Sequence, residues 1–170
     1  MDRAATTAET AQIKALLQEA VRAGAFGFTT TAIPQHIGYK GRPLACRQAS
    51  REELKAYANG LKELGKGTIE LALTATAAEL SEEEYALLDF LLTESGRPVT
   101  WLGVVSRDDK PEAGPDLLRR AEPLIKRGGI PQVTCRPFVI QINLRNPFIF
   151  ANHPSWNPVF NRTPEEQMRV

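Results

Sequence analysis

The sequence is short of the residues that usually announce a chemistry. It has two histidines, His36 and His153, too far apart for a metal motif, and two cysteines, Cys46 and Cys135, with no metal-ligand spacing. The thiols read as reduced cysteines rather than a disulfide, which by default points to the cytoplasm. No glycine-rich nucleotide loop follows any strand candidate, no Gly-x-Ser-x-Gly elbow is present, and no Cys–His pairing stands out. Net charge is +1, so nothing calls for a polyanionic partner. Basic residues are scattered and do not interleave with aromatics, which argues against nucleic-acid binding. No apolar run approaches the roughly 20 residues that cross a bilayer, and Met1 to Thr10 is too small and polar for a secretory signal.

What remains is a regular alternation of helix and strand signals. With 42% hydrophobic and 24% charged residues over 170 positions, the chain has the composition of one globular domain. Ile13, Leu16, Leu17, Ala20 and Val21 form a helical stripe. Thr6 and Glu9 are placed for a capping box before it and Gly24 for its C-cap. Ala25–Thr31 is short, aromatic and Thr-rich, as strands are. After a loop with Pro34, Gly38, Gly41 and Pro43, Ser50 and Glu53 suggest a second capping box. It precedes a helix with Leu54, Tyr57, Ala58 and Leu61 on one face, ended by Gly65 and Gly67. Thr68–Thr74 is the second strand candidate. Ser81 and Glu84 open a third helix, with Tyr85, Leu88, Leu91 and Leu92 inward and Gly96 as its stop. Pro98–Val105 follows, apolar at nearly every position and therefore expected to be buried on both faces.

A fourth helix carries Leu117, Leu118, Ala121, Leu124 and Ile125. Pro123 is expected to kink or break it, and Gly128 and Gly129 to close it. Val133–Leu144 is the fourth strand candidate. Beyond it, Pro, Asn and aromatic residues suggest a long ordered loop. Thr163-Pro164-Glu165-Glu166 then has the N-cap, first-turn proline and capping glutamate of a helix start. The sequence ends before two turns are complete, which reads as truncation. Strand starts near 26, 68, 98 and 132 suit parallel strands with helical crossovers. The roughly 31 residues per unit of a (β/α)8 barrel and the pattern of a small doubly wound sheet fit equally well.

Several stretches resemble the N-acyl-D-amino-acid deacylase branch of the amidohydrolase superfamily, in order along the chain. They are Gly24–Thr31, His36, Gly41-Arg42-Pro43, Ala49–Leu54, Glu94–Thr100, Pro131-Gln132-Val133, Arg136-Pro137 and His153-Pro154-Ser155. The resemblance implies a partial (β/α)8 barrel of about four consecutive parallel strands, equivalent to the fourth to seventh of the full barrel. Residues 1–144 would hold four βα units, and 145–170 a loop and the start of a truncated helix. It also implies zinc-dependent hydrolysis of a non-peptide amide, in which the metal activates water and polarises the carbonyl. The family's ligands are a His-x-His pair after the first strand, a bridging residue, histidines on the fifth and sixth strands, and an aspartate after the eighth. Here the equivalents of the fifth and sixth strands, Thr68–Thr74 and Pro98–Val105, contain no histidine. Ala32 stands where an arginine is usual, and Pro123 interrupts a helix that is continuous in the family. No zinc is therefore expected to bind this segment alone.

The substrate-binding candidates are Thr30, Thr31, His36, Glu70 and Arg136, with no catalytic residue assigned. The threonines offer rim hydroxyls or simply good strand residues. His36, past a strand end, is either a local hydrogen-bonding histidine or a substrate contact. Glu70 lies inside a strand, where a charge needs a partner. Arg136 suits bidentate carboxylate binding or a structural ion pair. His153 and Trp101 read as structural. The expected function is an amidohydrolase acting on an N-acyl amino acid or related amide. The alternative is a non-catalytic remnant or binding module of the same fold. No nucleic-acid or membrane partner is expected. Self-association through open sheet edges is expected, with Phe28, Leu71, Trp101 or Phe138 partly exposed there.

Overall fold

The computed structural model describes residues 3–34, 36, 38, 43–73, 76–133, 135, 136, 139, 141, 150, 153–156, 158, 159 and 162–169. Helix α1 (Thr7–Arg22) leads into β1 (Gly27–Thr31). Then follow a 3-10 turn (Ala45–Gln48), α2 (Arg51–Leu64), β2 (Thr68–Ala72), α3 (Glu82–Ser95), β3 (Val99–Val104), α4 (Ala113–Ile125) and β4 (Gly129–Val133). A second 3-10 turn (Pro154–Trp156) and a four-residue helix α5 (Pro164–Gln167) complete the order. The strands are all parallel and lie in sequence order, β1-β2-β3-β4. Each helix packs against the next, α1 on α2, α2 on α3 and α3 on α4. This is the one-sided βα layering of part of a (β/α)8 barrel.

The helices begin where their capping signals lie. The Thr6, Ser81 and Thr163 hydroxyls accept the N3 amide of α1, α3 and α5, and Glu9, Glu84 and Glu166 return the bond. At α2 the box is half made. The Ser50 hydroxyl accepts from the Glu53 amide, but the Glu53 carboxylate is drawn away by Tyr57 Oη at 2.8 Å and the Ala5 amide at 3.3 Å. A buried carboxylate takes the donors that satisfy it best. Gly65 and Gly96 end α2 and α3 in the left-handed conformation, at φ 61° and 57°, where a side chain would be strained. Helix α4 runs through Pro123 to Ile125 without a break. The proline has no N–H to give the Arg119 carbonyl, so the helix forgoes that one bond and ends two residues later.

The fourth strand is not where sequence pattern places it. It starts at Gly129, and of the expected Val133–Leu144 only Val133 belongs to it. Cys135, Arg136, Val139 and Gln141 are not in a strand, and the rest of that stretch, Phe138 included, lies outside the described residues, as does Thr74. Glycine at 129 is a steric requirement. A Cβ there would stand 2.9 Å from the Leu124 carbonyl oxygen and 3.1 Å from the Trp101 ring. Pro131 is accommodated because β4 pairs with one neighbour in the described sheet, so a missing N–H on the far side removes no ladder bond.

The core lies between sheet and helices. Ile69, Leu71, Leu73, Val99 and Trp101 face Ala58 and Leu61 of α2, Leu88, Leu91 and Leu92 of α3, and Leu117, Ala121 and Leu124 of α4. Each large side chain so buried contributes roughly 1.5–3 kcal/mol. Among the described residues, no helix packs on the other sheet face. The expectation that β3 is covered on both sides is therefore corrected. Leu102 is 44% exposed and its neighbour Ile130 51%, whereas Leu71 and Trp101, expected at an open face, are fully buried. Alternation in β2 and β3 turns those two toward the helices.

Candidate functional site

Two surfaces gather the polar groups of this fold: the C-terminal rim of the strands and the helix-free face of the sheet. At the rim, β1 ends in Thr31, which is buried and whose Oγ1 lies 2.8 Å from His36 Nδ1. The same oxygen accepts the Ile33 amide at 3.2 Å, closing a tight turn out of the strand. Arg47, from the 3-10 turn, donates to the carbonyls of Pro34 and His36 at 2.8 and 3.2 Å and holds the loop against the rim. The histidine is thus oriented by a strand-end hydroxyl through its side chain and by an arginine through its backbone. Nothing in the local sequence pattern around Arg47 marks it for this role.

On the helix-free face, the register places Thr29, Glu70 and Thr100 side by side across three strands. Gln132 completes the group. Its Nε2 donates to Glu70 Oε1 at 3.3 Å and to Thr100 Oγ1 at 3.0 Å, and the Thr100 hydroxyl donates onward to the Ile130 carbonyl at 2.9 Å. The Glu70 carboxylate is held by the Gln132 amide, beside a 220 Å³ hollow that Phe26, Thr29 and Thr68 also line. Thr100 and Gln132 were not among the sequence candidates. Thr100 sits in a run that is apolar at nearly every position, and Gln132 in a strand obscured by Gly129 and Pro131.

The five candidates therefore separate. Thr31 and His36 are hydrogen-bonded partners. Glu70 shares the helix-free face of the sheet with Thr31. Thr30, paired with the buried Leu71, alternates to the helix side, where it lines a 270 Å³ hollow with Arg47, Arg51 and Leu54. Arg136 lies past the end of β4, exposed, at the mouth of a larger cavity. Behind β1, Tyr57 and Glu53 make a buried pair. Burial, and then the carboxylate accepting its O–H, push the tyrosine hydroxyl above its usual range.

No family model matches the sequence, and no curated protein does. A solved structure does match: a D-aminoacylase studied for its binuclear metal centre, with one-metal activation and second-metal attenuation. The match has a TM-score of 0.54 at 20% identity and covers 81% of this chain. What is shared is the fold. The chain spans 27% of the length of that amidohydrolase.

Binuclear metal chemistry requires several donors converging at the strand ends. Here β2 ends in Ala72 with Leu73 after it, β3 in Val104 with Val105 after it, and β4 in Val133, none of which offers a side-chain donor. Among the described residues no group of three or more His, Cys, Asp and Glu side chains could hold a metal ion. The described residues do not fit such a centre. Among them, too, no helix is long and apolar enough to cross a membrane.

Proposed function

We propose that this chain is a four-strand portion of an amidohydrolase barrel that cleaves the amide of an N-acyl amino acid or a related non-peptide amide. The observation that carries the reading is the backbone match to a D-aminoacylase over 81% of this chain, in a sheet whose parallel strands follow sequence order. The deacylase-like stretches of sequence support it independently. On this reading zinc and its ligands belong to strands outside residues 1–170, and the chain supplies substrate-binding surface. Thr31 and His36 stand at the rim where barrel enzymes bind substrate. Glu70 stands on the sheet face that lines a closed barrel, held by Gln132. Arg136 offers a guanidinium for a carboxylate. The two free thiols, Cys46 and Cys135, suit a cytoplasmic protein.

The metal-poor strand ends favour a second reading, a binding module or remnant of the same fold that does no chemistry. One experiment separates the two. The coding sequence on both sides is read for a His-x-His pair after a strand and for a later aspartate. The polypeptide carrying them is then assayed for release of free amine from N-acyl amino acids of both hands. Both motifs, with turnover lost on chelation and restored by zinc, support the enzyme. Their absence, with no amine released, establishes the module.

A further inference from the structure

Past the ends of β3 and β4, and in front of the first turn of α4, lies an open cavity of about 780 Å³. That is within the roughly 300–1,000 Å³ of small-molecule sites. Val104, Val105, Val133 and Leu118 give it an apolar wall, and Asp108 and Arg136 stand on its lining with opposite charges.

Several charges near this cavity are paired with one another. Arg107 grips Asp109 at 2.7 Å and Glu79 at 3.4 Å, Lys110 reaches Glu79 at 3.2 Å, and Arg119 pairs with Asp116. Asp108 and Arg136 make no ion pair and no hydrogen bond to the described residues. The two leave a cation-accepting and an anion-accepting group on the lining of one cavity that Val104, Val105, Val133 and Leu118 also line.

We propose that this cavity binds a free α-amino acid as its zwitterion. Arg136 receives the α-carboxylate, Asp108 the α-ammonium, and the valines and Leu118 an apolar side chain of moderate size. A planar guanidinium matches a carboxylate through two parallel hydrogen bonds, and a carboxylate is the natural acceptor for an ammonium. An N-acyl amino acid, whose nitrogen is an uncharged amide, lacks the charge–charge attraction to Asp108 that an ammonium has. If the amide-hydrolase reading holds, the ligand is the amine-bearing product of that reaction. The binding itself does not depend on that reading.

The test uses the 170-residue chain, labelled with 15N and titrated with leucine, N-acetylleucine and leucinamide. Shifts are followed at the amides of Val104, Val105, Ser106 and Gly114. Leucine is expected to bind at about 1 mM, the range of a small ligand held by two solvated charges. Arg136→Gln should weaken leucine and N-acetylleucine at least about fivefold and spare leucinamide. Asp108→Asn should weaken leucine and leucinamide by a similar factor and spare N-acetylleucine, since about 1 kcal/mol is a factor of roughly five. Thermal melts of both variants check that these exposed substitutions leave the fold intact. Arg136→Lys, which keeps the charge, should retain part of the leucine affinity. The proposal is overturned if those amides do not move at about 20 mM leucine, or if leucine and N-acetylleucine bind alike in every variant. Amide hydrolysis is not read in this titration, so failure of the enzyme reading leaves its outcome unchanged.

Discussion

The side-chain amide of Gln132 donates to Glu70 Oε1 although the two residues lie on strands separated by β3, and it takes in Thr100 Oγ1 on the way. One side chain thus spans three strands on the face that no described helix covers. A hydrogen bond to a charged group contributes about 1.5–3 kcal/mol when buried. Here both groups are half-exposed, and solvent reduces that to about 1 kcal/mol. Gln132→Ala is expected to destabilise the chain by about that amount. In a double-mutant cycle with Glu70→Ala the coupling should be about 0.5–1 kcal/mol by urea unfolding. A coupling of zero would mean that Glu70 is not held by the amide.

Trp101 is fully buried, and its indole N–H makes no hydrogen bond to the described residues. An unsatisfied buried donor costs about 1–3 kcal/mol. Trp101→Phe removes that cost and loses part of the packing, so the two effects nearly cancel and the change should lie within about 1 kcal/mol. Trp101→Ala empties the site and should cost about 3–5 kcal/mol. Chemical denaturation of both variants gives the comparison. A phenylalanine variant as damaged as the alanine one would refute the cancellation.

Tyr57 should make the chain sensitive to alkali. Its hydroxyl is held above its usual range by burial and by Glu53. The unfolded chain releases this proton near pH 10 and the folded chain only at higher pH. The stabilisation is therefore complete below about pH 10 and is lost as pH rises through the folded value. Tyr57→Phe should show a shallower fall in stability than the parent chain between about pH 9 and about pH 11.5. Equal slopes in urea titrations at those values would contradict the shift.

Self-association should run through the uncovered face and the sheet edges. In the described sheet β1 and β4 each pair with one neighbour. Phe26, Leu102 and Ile130 are 94%, 44% and 51% exposed, and unpaired strand edges beside apolar surface recruit further strands. Sedimentation velocity of the 170-residue chain should show mass rising with concentration. The Leu102→Lys/Ile130→Lys variant should need at least about fivefold more protein for the same shift, since losing about 1 kcal/mol of burial is a factor of that size. A monomer at all concentrations with one sharp unfolding transition would rule this out.

The helices were legible because their starts and stops are local. Thr6, Ser81 and Thr163 cap at a fixed spacing from their glutamates, and Gly65 and Gly96 end helices by backbone geometry alone. Where a distant group competes, the local signal fails: Glu53 leaves its box for Tyr57 and Ala5. The fourth strand was hidden for a similar reason. Gly129 and Pro131 read as breakers, yet Trp101 and Leu124 demand the glycine, and an edge position tolerates the proline. The faces of β3 were misjudged because an apolar run carries no alternation to reveal which side is covered. In the candidate site, the rim position of His36 was legible from the strand before it. The Gln132–Glu70 contact was not, since it joins residues on strands that only the sheet order brings together.

The parallel order of the strands has a consequence for how the chain comes apart. Each βα unit leans on the unit before it and the unit after, with helix on next helix and strand on next strand. Stability then passes along the chain as a series of couplings between neighbours, much as in a solenoid. The interior units, with support on both sides, should hold their amide protons longest. Exchange should proceed inward from β1 and β4, so that opening begins at the edges and the β2–β3 pair is the last to surrender its hydrogens to solvent.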